Sequence, residues 1–163
     1  MNYQEQFVVD FVRRTRKNLE YIEDRVNEKP DEELFEVTQL VNSLLGIIVL
    51  PREHYIKNIP ETPLQELADA GWPIVDKLIG EIPQNCTNLR ELITNLRHSI
   101  AHFNVEFIED NYTHKLIGLT LWNYHRGKLR WRTTIALDEL RKVTLLLFEI
   151  IETRTSEQYQ NKK

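Results

Sequence analysis

The stretch Asn88-Leu89-Arg90-Glu91-Leu92-Ile93-Thr94-Asn95-Leu96-Arg97-His98-Ser99-Ile100-Ala101-His102-Phe103 carries the period of a helix with one apolar side. At 100° per residue, Leu89, Leu92, Leu96, Ile100 and Phe103 fall within roughly ±40° of one direction, which predicts a core-facing stripe. Asn88 with Glu91 three residues on resembles a capping box, so the helix is expected to start near Thr87 or Asn88 and to fade by Asn104. His98 and His102 lie about 40° apart on the opposite side, beside Glu91 and Asn95. Imidazoles that move protons near neutral pH, next to the fixed charge of Arg97, suit phosphate chemistry better than packing. Arg97 and His102 are about 140° apart on an unbroken helix. Either the helix loosens before His102, or a second chain supplies the complement.

Downstream the period changes to two. Ile117, Leu119 and Leu121 alternate, as do Leu129, Trp131, Thr133 and Ile135, predicting a hairpin with one buried face. A two-residue loop at Arg126-Gly127 sets Leu121 against Arg132. A three-residue loop at His125-Arg126-Gly127 instead pairs Leu121 with Trp131 and Leu119 with Thr133, so the apolar residues share a face. The three-residue loop is therefore expected, with Gly127 in the left-handed position. Trp122 then joins Arg130 and Arg132 on the outer face, either as cation–π decoration or as a surface on which a base stacks. A last helix is expected over Asp138 to Thr153 with Asp138 as N-cap, followed by a fraying polar tail.

Upstream, Gln4 to Glu28 reads as an amphipathic helix with Phe7, Val8, Phe11, Val12, Leu19, Ile22 and Val26 on one side. The run Arg13-Arg14-Thr15-Arg16-Lys17 reads as a solvated face paired with Glu20 and Asp24 rather than as an RNA patch. Pro30 and the acidic residues after it mark a turn. A second helix is expected from Glu33 to Leu50, stopped by Pro51. It carries no charge from Val37 onward. Its core stripe is Val37, Leu40, Val41, Leu44 and Ile48, and its other side is Gln39, Asn42, Ser43 and Gly46. Small uncharged groups there predict the close approach of another helix, with a second subunit as one source. This helix is too short to span a bilayer. Prolines divide Pro51 to Asn88 into a loop, a short helix around Leu64 to Ala70 and an apolar piece at Ile74 to Ile79.

The chain of 163 residues fits one domain over residues 1–155, with a polar tail over 156–163. The expected architecture is mainly α, a helical bundle with a β-hairpin inserted before the last helix. A net charge of −4 argues against a general nucleic-acid coating protein. The basic residues between Lys115 and Lys142 still leave a local surface suited to a short stretch of RNA. Cys86, the single cysteine, forms no intrachain disulfide, and the N-terminus lacks a basic start and an apolar signal core, so cytoplasm is the expected compartment.

Arg97, His98 and His102, late in the third main helix of a small bundle, resemble the HEPN family motif of Arg, a polar residue and a following His. The segment Glu36 to Gly46, then Pro51-Arg52-Glu53 and Gly71-Trp72, looks like a plasmid- and prokaryote-borne HEPN subfamily. The resemblance extends over nearly the whole chain. It implies a HEPN-like fold and a metal-independent endoribonuclease, a toxin or defence effector, working without a cofactor as a homodimer whose two motifs face one RNA phosphodiester. His102 is then the general base or acid, Arg97 stabilises transition-state charge, and His98 orients the phosphate or shares proton transfer. Asn42 and Asn104 are expected substrate contacts, with Arg130 and Arg132 as further RNA-contact candidates.

Other readings of the same residues stand beside this one. His102 is also suited to a helix C-terminus as an ordinary surface histidine. His98 and His102 have zinc-pair spacing, but no third ligand is evident among His54, Cys86, His114 and His125, so no metal is expected. Ser99 lacks an oxyanion-hole signature. The domain also suits a non-catalytic RNA- or nucleotide-binding module, or a protein held by an antitoxin partner. For such an antitoxin, Tyr112 and Tyr124 are the nearest tyrosines downstream of the motif.

Overall fold

The structure, a computed structural model, describes residues 3–29, 35–49, 59–72, 86–113 and 115–160. The expectations placed on Pro30 to Glu33, Leu50 to His54, Ile74 to Ile79 and His114 lie outside these residues. The described part is mainly helical, with five helices and a three-stranded antiparallel sheet before the last of them. No helix among the described residues is long and apolar enough to cross a membrane. The chain divides into two compact units, Met1–Leu50 with Thr144–Lys163, and Pro51–Val143.

The first unit holds α1 (Tyr3–Glu28), α2 (Glu36–Val49) and the later turns of α5 (Leu137–Gln160). Val12, Leu19, Leu40, Leu44, Ile48 and Phe148 are buried, as the helical period requires. Phe7, expected on the apolar side of α1, is instead 52% exposed. The close approach expected of α2 occurs within the chain. A Cβ on Gly46 would stand 2.7 Å from the ring of Phe11 on α1, so glycine here admits an aromatic side chain to the helix backbone. Ser43 is buried and donates its hydroxyl to the Gln39 carbonyl (2.7 Å). The uncharged side of α2 thus has an intrachain explanation at Gly46. Arg16 does not follow the expected pairing with Glu20 and Asp24. It lies over the Phe148 ring (5.3 Å to the centroid) and forms an ion pair with Glu152 (3.3 Å).

The second unit contains α3 (Leu64–Asp69), α4 (Leu89–Ala101), β1 (Val105–Glu109), β2 (Leu116–His125), β3 (Lys128–Ala136) and the start of α5. The segment before α3 and the segment before α4 are tied by reciprocal bonds, Leu64 N–H to the Thr87 carbonyl (3.0 Å) and Leu89 N–H to the Thr62 carbonyl (2.9 Å). Arg90 adds a bond to the Ile59 carbonyl (2.8 Å) and an ion pair with Glu61. Strand order is β1-β2-β3, and α4 packs on β2. β1 enlarges the expected hairpin to three strands. The five-residue strand was too short for its alternation to stand out beside the helix that precedes it.

The hairpin register differs from expectation. His125 pairs with Lys128 across a two-residue Arg126-Gly127 loop, with φ of 50° and 74° at the two residues. Positive φ at both marks a type I′ turn, whose twist suits the strands it joins. The register then shifts between Asn123 and Tyr124: Tyr124 pairs with Leu129 but Asn123 with Trp131, leaving Arg130 as a bulge residue. Leu121 consequently faces Thr133 and Leu119 faces Ile135, not Trp131 and Thr133. The bulge restores the face alternation that a plain two-residue loop would have inverted. The apolar set faces one side as expected, by a different route.

α5 also starts differently. Its first residue is Leu137, and the Ala136 N–H donates to the Glu139 carboxylate (3.0 Å). Ala136 therefore occupies the N-cap position, and Asp138 lies in the first turn, where negative charge suits the helix dipole. The helix continues to Gln160, past Thr153, where the apolar spacing predicts its end.

Candidate functional site

Helix α4 delivers the Arg97, His98 and His102 side chains, and both of its ends are fastened. At the N-terminus, Asn88 Oδ1 accepts from the Glu91 N–H (3.0 Å). Glu91 Oε2 accepts in return from the N–H (2.7 Å) and hydroxyl (2.8 Å) of Thr87. The reciprocal box anticipated around Asn88 and Glu91 is thus displaced by one residue on its return arm.

The C-terminus closes at His102, whose N–H still bonds to the His98 carbonyl (3.0 Å). The helix does not loosen before His102. Phe103 follows with φ 55°. Its N–H bonds to the Ile100 carbonyl (3.0 Å), and the Asn104 N–H bonds to the Ser99 carbonyl (2.7 Å), completing a Schellman motif. The end of α3 closes in the same way, with Trp72 N–H to the Leu67 carbonyl (2.9 Å), but its left-handed residue is Gly71 (φ 85°). A residue bearing a Cβ is disfavoured in that conformation by about 1 kcal/mol or more. The turn also removes Phe103 from the apolar stripe to which the helical period assigned it. The ring is 81% exposed, whereas Leu89, Leu92 and Leu96 are buried.

His98 and His102 are exposed and lie side by side, ring centroids 6.4 Å apart and planes at 63°. Arg97 is partly buried. Behind them, a buried polar cluster pins α4 to the sheet. Asn123 on β2 donates Nδ2–H to the Asn95 carbonyl (2.7 Å), and its Oδ1 accepts from the Ser99 hydroxyl (3.0 Å). Ser99 Oγ also reaches the Asn95 carbonyl (3.0 Å) and is fully buried, a structural position rather than a nucleophilic one. A satisfied buried network of this kind fixes one orientation of the elements it joins. Asn123→Ala is expected to lower unfolding free energy by about 1–3 kcal/mol in denaturant titration, because Ser99 and Asn95 lose a buried partner. The readable signal for Asn123 was an amide in the inward series Leu119, Leu121, Asn123, where an apolar residue was due.

The remaining candidates are spread out. The Asn104 main chain is engaged on both sides, its carbonyl accepting from Trp122 N–H (3.2 Å). Arg132 is exposed between buried Trp131 and Thr133, directly across from Trp122, on the sheet face opposite Asn123. Arg130 is exposed at the bulge. Asn42 is exposed on α2, in the other unit. Among the described residues, no three His, Cys, Asp or Glu side chains are grouped so that they could hold a metal ion. Cys86 is buried beneath α4, and burial pushes its thiol from 9.0 to about 12, opposed by hydrogen bonding to Asn95.

Residues 1–158 match the family described as HEPN pEK499 p136. The chain belongs to this HEPN family. HEPN domains are typically RNases. No curated protein and no solved structure matches the chain.

Proposed function

We propose that this HEPN protein is a metal-independent endoribonuclease that cleaves RNA by transesterification at a site composed from two copies of the chain. The observation carrying this reading is the exposed imidazole pair at the fastened end of α4, adjoining Arg97. In the reaction, the 2′-oxygen forms a bond to phosphorus and the bond from phosphorus to the 5′-oxygen breaks. One imidazole takes the proton of the 2′-hydroxyl, and another gives a proton to the departing 5′-oxygen. The products are a 2′,3′-cyclic phosphate and a 5′-hydroxyl. The Arg97 guanidinium offers paired donors to the phosphoryl oxygens, where negative charge builds up.

The two-copy arrangement answers a geometric problem. The helix stays hydrogen-bonded to His102, so the ~140° separation of Arg97 and His102 persists within one chain. A symmetric dimer brings the guanidinium of one copy to the imidazole of the other. Asn104 and Asn42 are proposed substrate contacts, and Arg130 and Arg132 offer charge to RNA beyond the reacting phosphate.

Incubation of the purified protein with mixed RNA in EDTA tests the reaction. Cleavage with cyclic-phosphate ends, and none of a DNA oligonucleotide, is expected. RNA that stays intact, or fragments bearing 5′-phosphates, would refute it. An antitoxin partner and a toxin or defence role are part of the same proposal, and a neighbouring antitoxin gene is the observation that bears on them.

A further inference from the structure

Phe103 combines three features that packing does not account for. It bears a side chain in a left-handed conformation, although the equivalent position at the end of α3 is glycine. Its ring is 81% exposed, so the unfavourable backbone is not offset by burial. It directly follows His102, and the bond from Asn104 N–H to the Ser99 carbonyl (2.7 Å) holds the turn that presents it. Ser99 in turn is bonded to Asn123. The same cluster therefore anchors both the helix end that carries the imidazoles and the turn that carries the ring.

From this geometry we infer that Phe103 is a stacking platform for a nucleobase adjoining the reacting phosphate, which makes single-stranded RNA the substrate class. The inference rests on the ribonuclease reading above. Its neighbours favour a nucleotide over a protein surface. An exposed ring that directly follows His102, at the helix end that also carries Arg97 and His98, complements a base attached to a phosphate. Flat stacking accepts any base, and bases in a duplex are already stacked on one another, so a paired strand cannot use the ring. His102 directly precedes Phe103, and His98 lies five residues, about one and a half helical turns, before it.

The test uses the full chain and a single-stranded RNA oligonucleotide with one mapped cleavage position. Phe103→Gly and Phe103→Asn both tolerate the left-handed backbone and keep the fold, while Phe103→Trp keeps the ring. The glycine and asparagine variants are expected to raise KM about tenfold with kcat nearly unchanged, and tryptophan to restore KM. An abasic nucleotide beside the cleavage position should abolish the difference between variants. Equal KM values in the presence of cleavage overturn the stacking role and leave the ribonuclease standing. If wild type does not cleave, binding of the same oligonucleotide with 2′-O-methyl groups separates the two ideas. Weaker binding by Phe103→Gly then supports stacking without the reaction, and equal or absent binding overturns it. A shift of Phe103→Gly to a smaller species on gel filtration assigns the ring to a contact between copies and also overturns it.

Discussion

His102→Ala and Arg97→Ala are each expected to lower RNA cleavage by about 10²–10⁴-fold, the span that proton transfer and transition-state charge stabilisation contribute. Both side chains lie at the end of α4, and neither enters the core, so thermal midpoints should stay close to wild type. Arg97→Lys should recover little, because an ammonium lacks the planar pair of donors that meets two phosphoryl oxygens. Mixing the two inactive variants gives a sharper result. If one copy supplies the guanidinium and the other the imidazole, a mixed dimer regains one intact site of its two. Random assortment then returns about a quarter of the wild-type rate. No recovery after subunit exchange would place both groups in the same chain and end the composite-site proposal.

Trp131→Ala should produce the largest loss of stability. Trp131 is the largest fully buried side chain, and it sits on the inner face of β3 between the bulge and Thr133. Removing it leaves a cavity that the three-stranded sheet cannot close, at a cost of about 3–5 kcal/mol. For a chain of this size, that corresponds to a fall in melting midpoint of roughly 10 °C. Cys86 reports the change independently, because its thiol is hydrogen-bonded to Trp131 and buried. In the native protein the thiol is held at about 12, so a thiolate-specific disulfide reagent at pH 8 should react only when the structure opens. Trp131→Ala should speed that reaction. The same raised value gives a pH dependence. The unfolded thiol ionises from 9.0 upward while the folded one stays protonated, so stability is retained below pH 9 and declines as pH rises toward 12. Cys86→Ala should flatten that decline. A Trp131→Ala protein with unchanged midpoint and an unreactive thiol would show that the ring does not hold the sheet against α4.

Most of the fold was legible because it follows from periodicity. The helices of both units and the change to period two at β2 are written in apolar spacing, and the Asn88–Glu91 start of α4 in its capping residues. What escaped was set by single backbone events. A bulge at Arg130 changed the register without changing the apolar face, and no propensity marks it. The Schellman turn carries phenylalanine where sequence signals lead one to look for glycine, so Phe103 was assigned to the core. The uncharged side of α2 correctly announced a close helix, but polarity alone does not distinguish a neighbour in the same chain from one in another. At the site, the motif stood out by residue type. Its support did not, since Asn123 acts from a strand far along the chain.

The surplus residue in β3 gives this hairpin room to change length by one. Excising Arg130 alone would leave Tyr124 opposite Leu129 and Asn123 opposite Trp131 in an unbroken ladder, with Leu121 still opposite Thr133. Losing a residue between Trp131 and Ile135 has no such spare position to draw on and turns the rest of the strand over. A single deletion among relatives should therefore fall at the bulge and not in the paired stretch beyond it.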